Sequence, residues 1–257
     1  QAVFLRSTNT VPAVLLMVWV TKVTPRNLAK QDKRLIWLRV GAEICTTIAF
    51  LTALKYMPLA NVTAILQALP LAVTMAAALF LAEPIGWRRW SAILVGFMGV
   101  LIVVRPGLDG FNVYSLSALA AIIFITVREI ATRKLAQEVP TITVVLSTAI
   151  GSAVFSGIMM VGAEWHAVST SSWLLLIGAA FAVLIATLLS VMAMRTGEIG
   201  FVSPFRYTSM LGAIGLGILM FGEWPDQPTL AGTVIIVMTG IYTFHREQKI
   251  SRGVTAA

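Results

Sequence analysis

Cysteine is almost missing from this chain. A single one, Cys45, lies inside an apolar run, so there is no disulfide framework and no CxxC or zinc-type spacing. Histidine is nearly as scarce. His166 and His245 are the two present, and the topology derived below puts one in an outer loop and the other at an inner exit, which excludes a metal cluster or a Ser-His-Asp constellation built on them. No glycine-rich phosphate loop follows a strand-like run, so ATP use leaves no signature. Charge is sparse as well: Asp, Glu, Lys and Arg make up 12% of the 257 residues, where soluble domains carry about 25%. The few charges are lopsided, 19 basic against 11 acidic, for a net charge of +8. A basic protein can be a nucleic-acid binder, but here the placement of the charges points to a membrane surface. No cofactor, no metal and no nucleic acid is expected, and an enzyme reading has little support.

The chain is rich in apolar residues, at 58%, with a mean hydropathy of +0.88. One stretch organises them. Leu54 to Pro84 opens with a Tyr56-Met57-Pro58 turn, continues as an apolar run and closes on Glu83-Pro84. About 20 apolar residues at about 1.5 Å each cross about 30 Å of hydrocarbon, so this run can span a bilayer. The pattern returns from Met194 to Pro225: Lys55 answers Arg195, and Glu83 answers Glu223, each 140 positions later. A constant offset over such a length is an internal duplication.

Spans are expected at 2–21, 38–56, 60–82, 89–105, 113–133, 141–161, 172–194, 201–222 and 229–245. The 113–133 span has no mate one repeat earlier within the chain, so a further helix is expected before Gln1, giving five spans per half, of which nine of ten are present. The loop from Lys22 to Arg39 holds six basic residues. Counting it as cytoplasmic and alternating the spans puts fifteen of the nineteen Lys and Arg inside and leaves Lys55 and Arg105 outside, with Arg6 and Arg206 within spans. That bias sets the orientation and puts the C-terminus in the cytoplasm. All seven tryptophans fall at span ends, where their rings suit headgroup depth. An odd number of spans per half turns the second half upside down, and inverted repeats of Gly- and Pro-interrupted helices mark secondary transporters.

The run ALKYMPLANVTAILQALPLAVTMAAALFLAEPIGWRRWSAILVGFMGVLIVVRPG resembles the first EamA repeat of the drug/metabolite transporter superfamily. The segments AMRTGEIGFVSPFRY to FGEWPDQPTLAGTVIIVMTGIY resemble the second. The resemblance implies an all-α polytopic membrane protein, an inverted repeat of five-helix halves over residues 1–110 and 111–248, with 249–257 as a cytoplasmic tail. It also implies a carrier in the bacterial inner membrane, working by alternating access and driven by a gradient. Its partners would be the lipid bilayer and a small organic substrate, with a monomer favoured. Spans 38–56, 60–82, 172–194 and 201–222 would line its cavity. A non-transporting structural or regulatory subunit is the alternative, and it would keep polar residues to the surfaces.

Several polar residues lie deeper. Glu43 is either a substrate-cation or proton-coupling carboxylate, or an interfacial Glu paired with Arg39 one turn earlier. Asn61, Thr63 and Gln67, near one face of the 60–82 span, either line the cavity or bond between helices. Ser203, Arg206 and Tyr207 follow the helix-breaking Pro204 and form the matching substrate-binding candidates. Arg6 is expected to snorkel to the outer face. Arg128 and Glu129 are expected to form a structural ion pair. Gly96, Gly99, Gly212, Gly215 and Gly217 are read as packing positions, and Pro58, Pro70 and Pro204 as kinks or breaks.

Overall fold

The computed structural model describes residues 1–22, 28–81, 86–105, 112–162, 165, 168–196, 212, 215–222 and 224–255. They form α1 (Ala2–Thr21), α2 (Lys30–Tyr56), α3 (Leu59–Leu66), α4 (Leu69–Phe80), α5 (Trp87–Val104), α6 (Ser115–Arg133), α7 (Thr141–Met160), α8 (Thr170–Thr196), a π-helical turn at Gly217–Phe221 and α9 (Gln227–Thr255). The regular structure among the described residues is helical, as an all-α polytopic membrane protein requires. Six segments are long and apolar enough to cross a bilayer: Val3–Val20, Lys30–Tyr56, Asn61–Phe80, Ser115–Arg133, Thr141–Met160 and Ser172–Arg195. Trp90–Val104 and Gln227–Tyr242 are shorter apolar helices. Most of the expected 201–222 span lies outside the described residues.

Three boundaries differ from the sequence reading, one of them the end of α9, which runs to Thr255 where the span was expected to end at 245. The basic segment ahead of residue 38 is helical from Lys30, because KQDKRLIWLR holds good helix formers with Asp32 in the first turn, where a carboxylate suits the helix dipole. The 60–82 run is two helices rather than one. Pro70 has no N–H to give Leu66 and its ring crowds that carbonyl, so the chain tightens at Gln67 and restarts. The Gln67 N–H bonds the carbonyls of Thr63 and Ala64, at 3.1 and 3.2 Å.

The packed helices form two compact units. The first comprises Gln1–Ile44 and Val127–Thr196, the second Cys45–Thr126 and Gly197–Ala257. Each unit draws on both sequence halves, and α2 and α6 contribute to both units.

In the first unit α1, α7 and α8 pack around Val14, Val144, Val145, Leu184 and Val191, joined by Ile36 and Val40 of α2. Gly151 lets α7 approach α2 closely, since a Cβ there would stand 2.3 Å from Val40. In the second unit α5 and α9 meet at Gly99 and Gly232, where a Cβ on Gly232 would lie 2.6 Å from the Gly99 carbonyl oxygen. Gly96 is equally tight against Leu71 of α4, whereas Gly212 and Gly215 meet no described atom within 4 Å. Such close approaches matter in lipid, where apolar burial drives little association and van der Waals packing takes over.

The surface inverts the pattern of a soluble protein. Trp19, Trp37, Leu175 and Leu219 are 77%, 74%, 75% and 84% exposed, while Arg39 and Glu129 are 3% and 2% exposed. Large apolar side chains face outward, while a few charges, Asp32, Arg39, Glu129 and Arg195, are buried.

Candidate functional site

The polar interior of the first unit grows from two helical faces. On α2, Arg39 and Glu43 stand one turn apart. On α6, Arg128 and Thr132 do the same, with Glu129 beside them. Arg128 donates to the Glu43 carboxylate through Nη1 at 2.6 Å and to the Glu129 carboxylate through Nη2 at 2.8 Å. One guanidinium therefore holds two carboxylates through its two terminal nitrogens, a geometry that suits arginine and not lysine. The Arg128–Glu129 pair is the one the sequence suggested. Glu43 differs from its interfacial reading, because its ion pair goes to Arg128 across 85 residues rather than to Arg39.

Arg39 is bound by hydroxyls instead. Its Nε donates to Thr132 Oγ1 at 2.9 Å and its Nη1 to Thr148 Oγ1 at 2.5 Å. Each hydroxyl passes its own proton to a backbone carbonyl, Thr132 to Arg128 at 2.7 Å and Thr148 to Val144 at 2.8 Å. The threonines thus serve as neutral acceptors for a buried cation. Arg39 is thus neither merely an orientation charge nor the ion-pair partner of Glu43, the two roles the sequence suggests for it.

Beside this network lies a cavity of about 40 Å³. Arg6, Ser7 and Thr10 of α1 line it with Glu43 of α2, Ser152 of α7 and Thr187 of α8. Glu43, Ser152 and Thr187 sit mid-way along their helices, so the cavity lies at depth in the membrane-length segments. Arg6 is half-buried, and its Nε is buried and has no hydrogen-bond partner.

Arg195, also read as an orientation signal, is 8% exposed and ties down the α6–α7 connection. It donates to the carbonyls of Ala136, Gln137 and Val139 at 3.0, 3.0 and 2.5 Å, and to Thr141 Oγ1 at 3.1 Å. In return Arg133 donates to the Met194 carbonyl at 3.1 Å, capping the last turn of α8.

The second unit holds Asn61, Thr63 and Gln67. Asn61 lines a cavity of about 200 Å³ with Met57, Arg105, Asn112, Ser115 and Asp226, and its Oδ1 accepts from Thr229 Oγ1 at 3.3 Å. Thr63 Oγ1 donates to the Leu59 carbonyl at 2.7 Å, a bond within its own helix. Gln67 is 3% exposed at the break between α3 and α4. Arg105 and Asp226 form an ion pair at the mouth of that cavity. Burial works to raise the Asp226 carboxyl, but the Thr229 hydroxyl and N–H together with Arg105 outweigh it and hold it below its ordinary value. Ser203, Arg206 and Tyr207 lie outside the described residues, as do Pro204, His166, Glu83 and Glu223.

Buried charge within membrane-length helices, opening on a small polar cavity, suits a protein that passes polar solutes through lipid. The sequence agrees with a known family: residues 1–105 and 113–244 both match the model of the EamA-like transporter family. This chain belongs to that family. Among EamA-like relatives, a riboflavin transporter of Vibrio cholerae is 30% identical over 84% of this chain and 72% of its own length. An S-adenosylmethionine uptake transporter of Rickettsia conorii is 27% identical over 76% of this chain and 66% of its own. A pseudopaline exporter of Pseudomonas aeruginosa is 25% identical over 83% and 76%. One solved crystal structure shares the fold at a TM-score of 0.71 and 19% identity, covering 93% of this chain and 84% of that one. The EamA-like chain is thus a multi-pass membrane transporter of small metabolites.

Proposed function

We propose that this transporter is a secondary carrier in the bacterial inner membrane that moves a small organic metabolite by alternating access, on a gradient rather than ATP. The observation that supports this reading best is the charge network of Arg39, Glu43, Arg128 and Glu129 placed against a polar cavity in the first unit. A scaffold has no use for a buried network of that kind, because lipid-facing packing alone would hold its helices together. Glu43 is the one carboxylate of the network that also lines the cavity, which suits a group that senses substrate or carries a coupling proton. Asn61, Thr63, Gln67, Ser203, Arg206 and Tyr207 remain the further candidates for substrate contact. The relatives include both an uptake transporter and an exporter, so direction is a property of the individual carrier.

The test is an untargeted comparison of metabolites taken up and released by cells with and without the gene. Glu43→Gln is then introduced with membrane level checked in parallel. The reading expects a definite set of metabolites to change, and the Glu43→Gln carrier to move them more slowly with an altered pH dependence. Unchanged rates and pH profile in that variant remove Glu43 from the mechanism. The orientation is checked separately: cysteine labelling from outside should mark His166→Cys and spare Lys30→Cys, as the distribution of basic residues requires.

A further inference from the structure

The cavity of the first unit is lined by one cation, Arg6, and one carboxylate, Glu43. Behind Glu43 the network adds Arg39, Arg128 and Glu129. Arg128 is matched by both carboxylates, and Arg39 is held by neutral hydroxyls. Among the described residues no carboxylate pairs with Arg6, and its Nε is shut away from water with no acceptor. Arg6 is half-buried, and an anion placed beside that unpaired Nε would complete the guanidinium at membrane depth. The cavity it faces, about 40 Å³, is too small for a whole metabolite but has room for one carboxylate or a pair of waters. Ser7, Ser152 and Thr187 bring hydroxyls to the same space, and hydroxyl donors solvate an anionic oxygen well, whereas Thr10 gives its proton to the Arg6 carbonyl.

We propose that Arg6 receives the carboxylate of the transported metabolite in this cavity, so that the carrier selects organic acids and zwitterions over uncharged solutes. The assignment rests on the transport reading above. It adds the chemical class of the substrate and the residue that recognises it. Glu43, across the same cavity, repels a second acidic group and favours a substrate whose carboxylate stands beside a cationic or neutral portion. The remainder of the substrate lies beyond the cavity. Arginine suits the task because its planar fork meets a carboxylate through two nitrogens, whereas lysine offers a point charge.

Two measurements test this, and they fail independently. In the first, the full chain in lipid nanodiscs is melted in increasing sodium acetate, with sodium chloride at equal ionic strength as the control. A ligand that binds the folded state raises Tm by mass action. Acetate should therefore stabilise the natural chain beyond chloride, and Arg6→Gln should lose that difference. Arg6→Gln should also melt no lower than the natural chain in the absence of acetate, because it removes an uncompensated charge. Equal effects of acetate on the two chains, or of chloride and acetate on the natural chain, overturn the assignment.

In the second, proteoliposomes are loaded with a mixed metabolite extract and the exchanged species are identified by mass. The species moved should carry a carboxylate. Arg6→Gln should slow them about tenfold or more, the loss of a charged hydrogen bond, and Arg6→Lys should restore part of the rate. Exchange confined to uncharged metabolites overturns the carboxylate site while the carrier reading stands. Arg6-dependent stabilisation by acetate with no exchange of any metabolite keeps the site and overturns the carrier reading.

Discussion

Replacing Arg128 by methionine tests how the buried network is held together. The guanidinium it removes lies 2.6 Å from the Glu43 carboxylate and 2.8 Å from that of Glu129, and the three side chains are 18%, 24% and 3% exposed. Methionine fills much of the same volume but leaves both carboxylates behind. Breaking a buried pair by deleting one partner costs about 3–5 kcal/mol, whereas an exposed pair is worth about 0–1 kcal/mol. Glu129, almost fully enclosed, should dominate the loss, and Glu43, with a quarter of its side chain open to the cavity, should contribute less. The expected cost of Arg128→Met is therefore in the upper of those two ranges, a change of roughly a hundredfold or more in the folded ratio. The companion variant Arg128→Met/Glu43→Gln/Glu129→Gln removes all three charges and should recover most of the stability. Reversible unfolding in mixed micelles, followed by tryptophan fluorescence and far-ultraviolet dichroism, reads both. A single variant that costs less than about 1 kcal/mol, or a triple variant no more stable than the single, would refute the account of Arg128 as the bridge between two buried carboxylates.

Three further outcomes are expected. Arg195→Ala removes the donor to the carbonyls of Ala136, Gln137 and Val139, so hydrogen exchange in the 134–141 connection should accelerate while exchange in mid-α7 changes little. Gly232→Leu forces a side chain against the Gly99 carbonyl and Val103, with a Cβ contact of 2.6 Å, and should destabilise the α5–α9 packing by about 1–3 kcal/mol in thermal melts, more than Gly212→Leu. The Asp226 carboxyl is held below its unfolded value, so its contribution is fully present above the ordinary carboxylate range and is lost as pH falls through the lower folded value; Asp226→Asn should therefore be less stable than the natural chain at neutral pH, with a flatter acid limb, and the two profiles should converge at low pH.

The architecture was legible because its signal is coarse. Apolar runs of membrane length and a repeat offset of 140 positions survive any detail of packing. Pro70 announced the break between α3 and α4, although the run around it is apolar enough to read as one span. Glu43 was legible as a carboxylate at depth, but its partner was not, since nothing local to α2 points to a residue 85 positions later. Arg39 and Arg195 were misjudged for a different reason. The positive-inside rule counts charges by the side of the membrane on which they fall and says nothing of what they bond. A signal was present for Arg39: it shares a face with Glu43 at one-turn spacing, so a network around one would involve the other. For Arg195 the acceptors are loop carbonyls, which leave no trace in side-chain identity.

The same arginines show why the cavity of the first unit calls for a ligand. Packing of α1, α7 and α8 through Val14, Val144, Val145 and Leu184 already supplies a well-filled interface. Apolar side chains in place of Arg39, Glu43, Arg128 and Glu129 would hold the same helices at less cost, since buried ion pairs commonly add nothing over apolar isosteres of similar volume. The charges therefore bring no structural gain to match their desolvation. Their arrangement fits a different demand. The network is tied together where it is packed, with Arg39 bound to threonines and Arg128 to two carboxylates, and it reaches the cavity through Glu43, with Arg6 also on the cavity lining. A packed network fixes the position of the groups at its edge, and groups held rigidly in low dielectric discriminate among solutes by charge far more sharply than the same groups in water. On the proposed reading, selectivity depends on Arg6 and on Glu43, which Arg128 holds in place. Arg128→Met should accordingly broaden the range of metabolites moved by whatever folded carrier remains, while Arg6→Gln should slow the carboxylate-bearing species and remove their advantage over uncharged solutes.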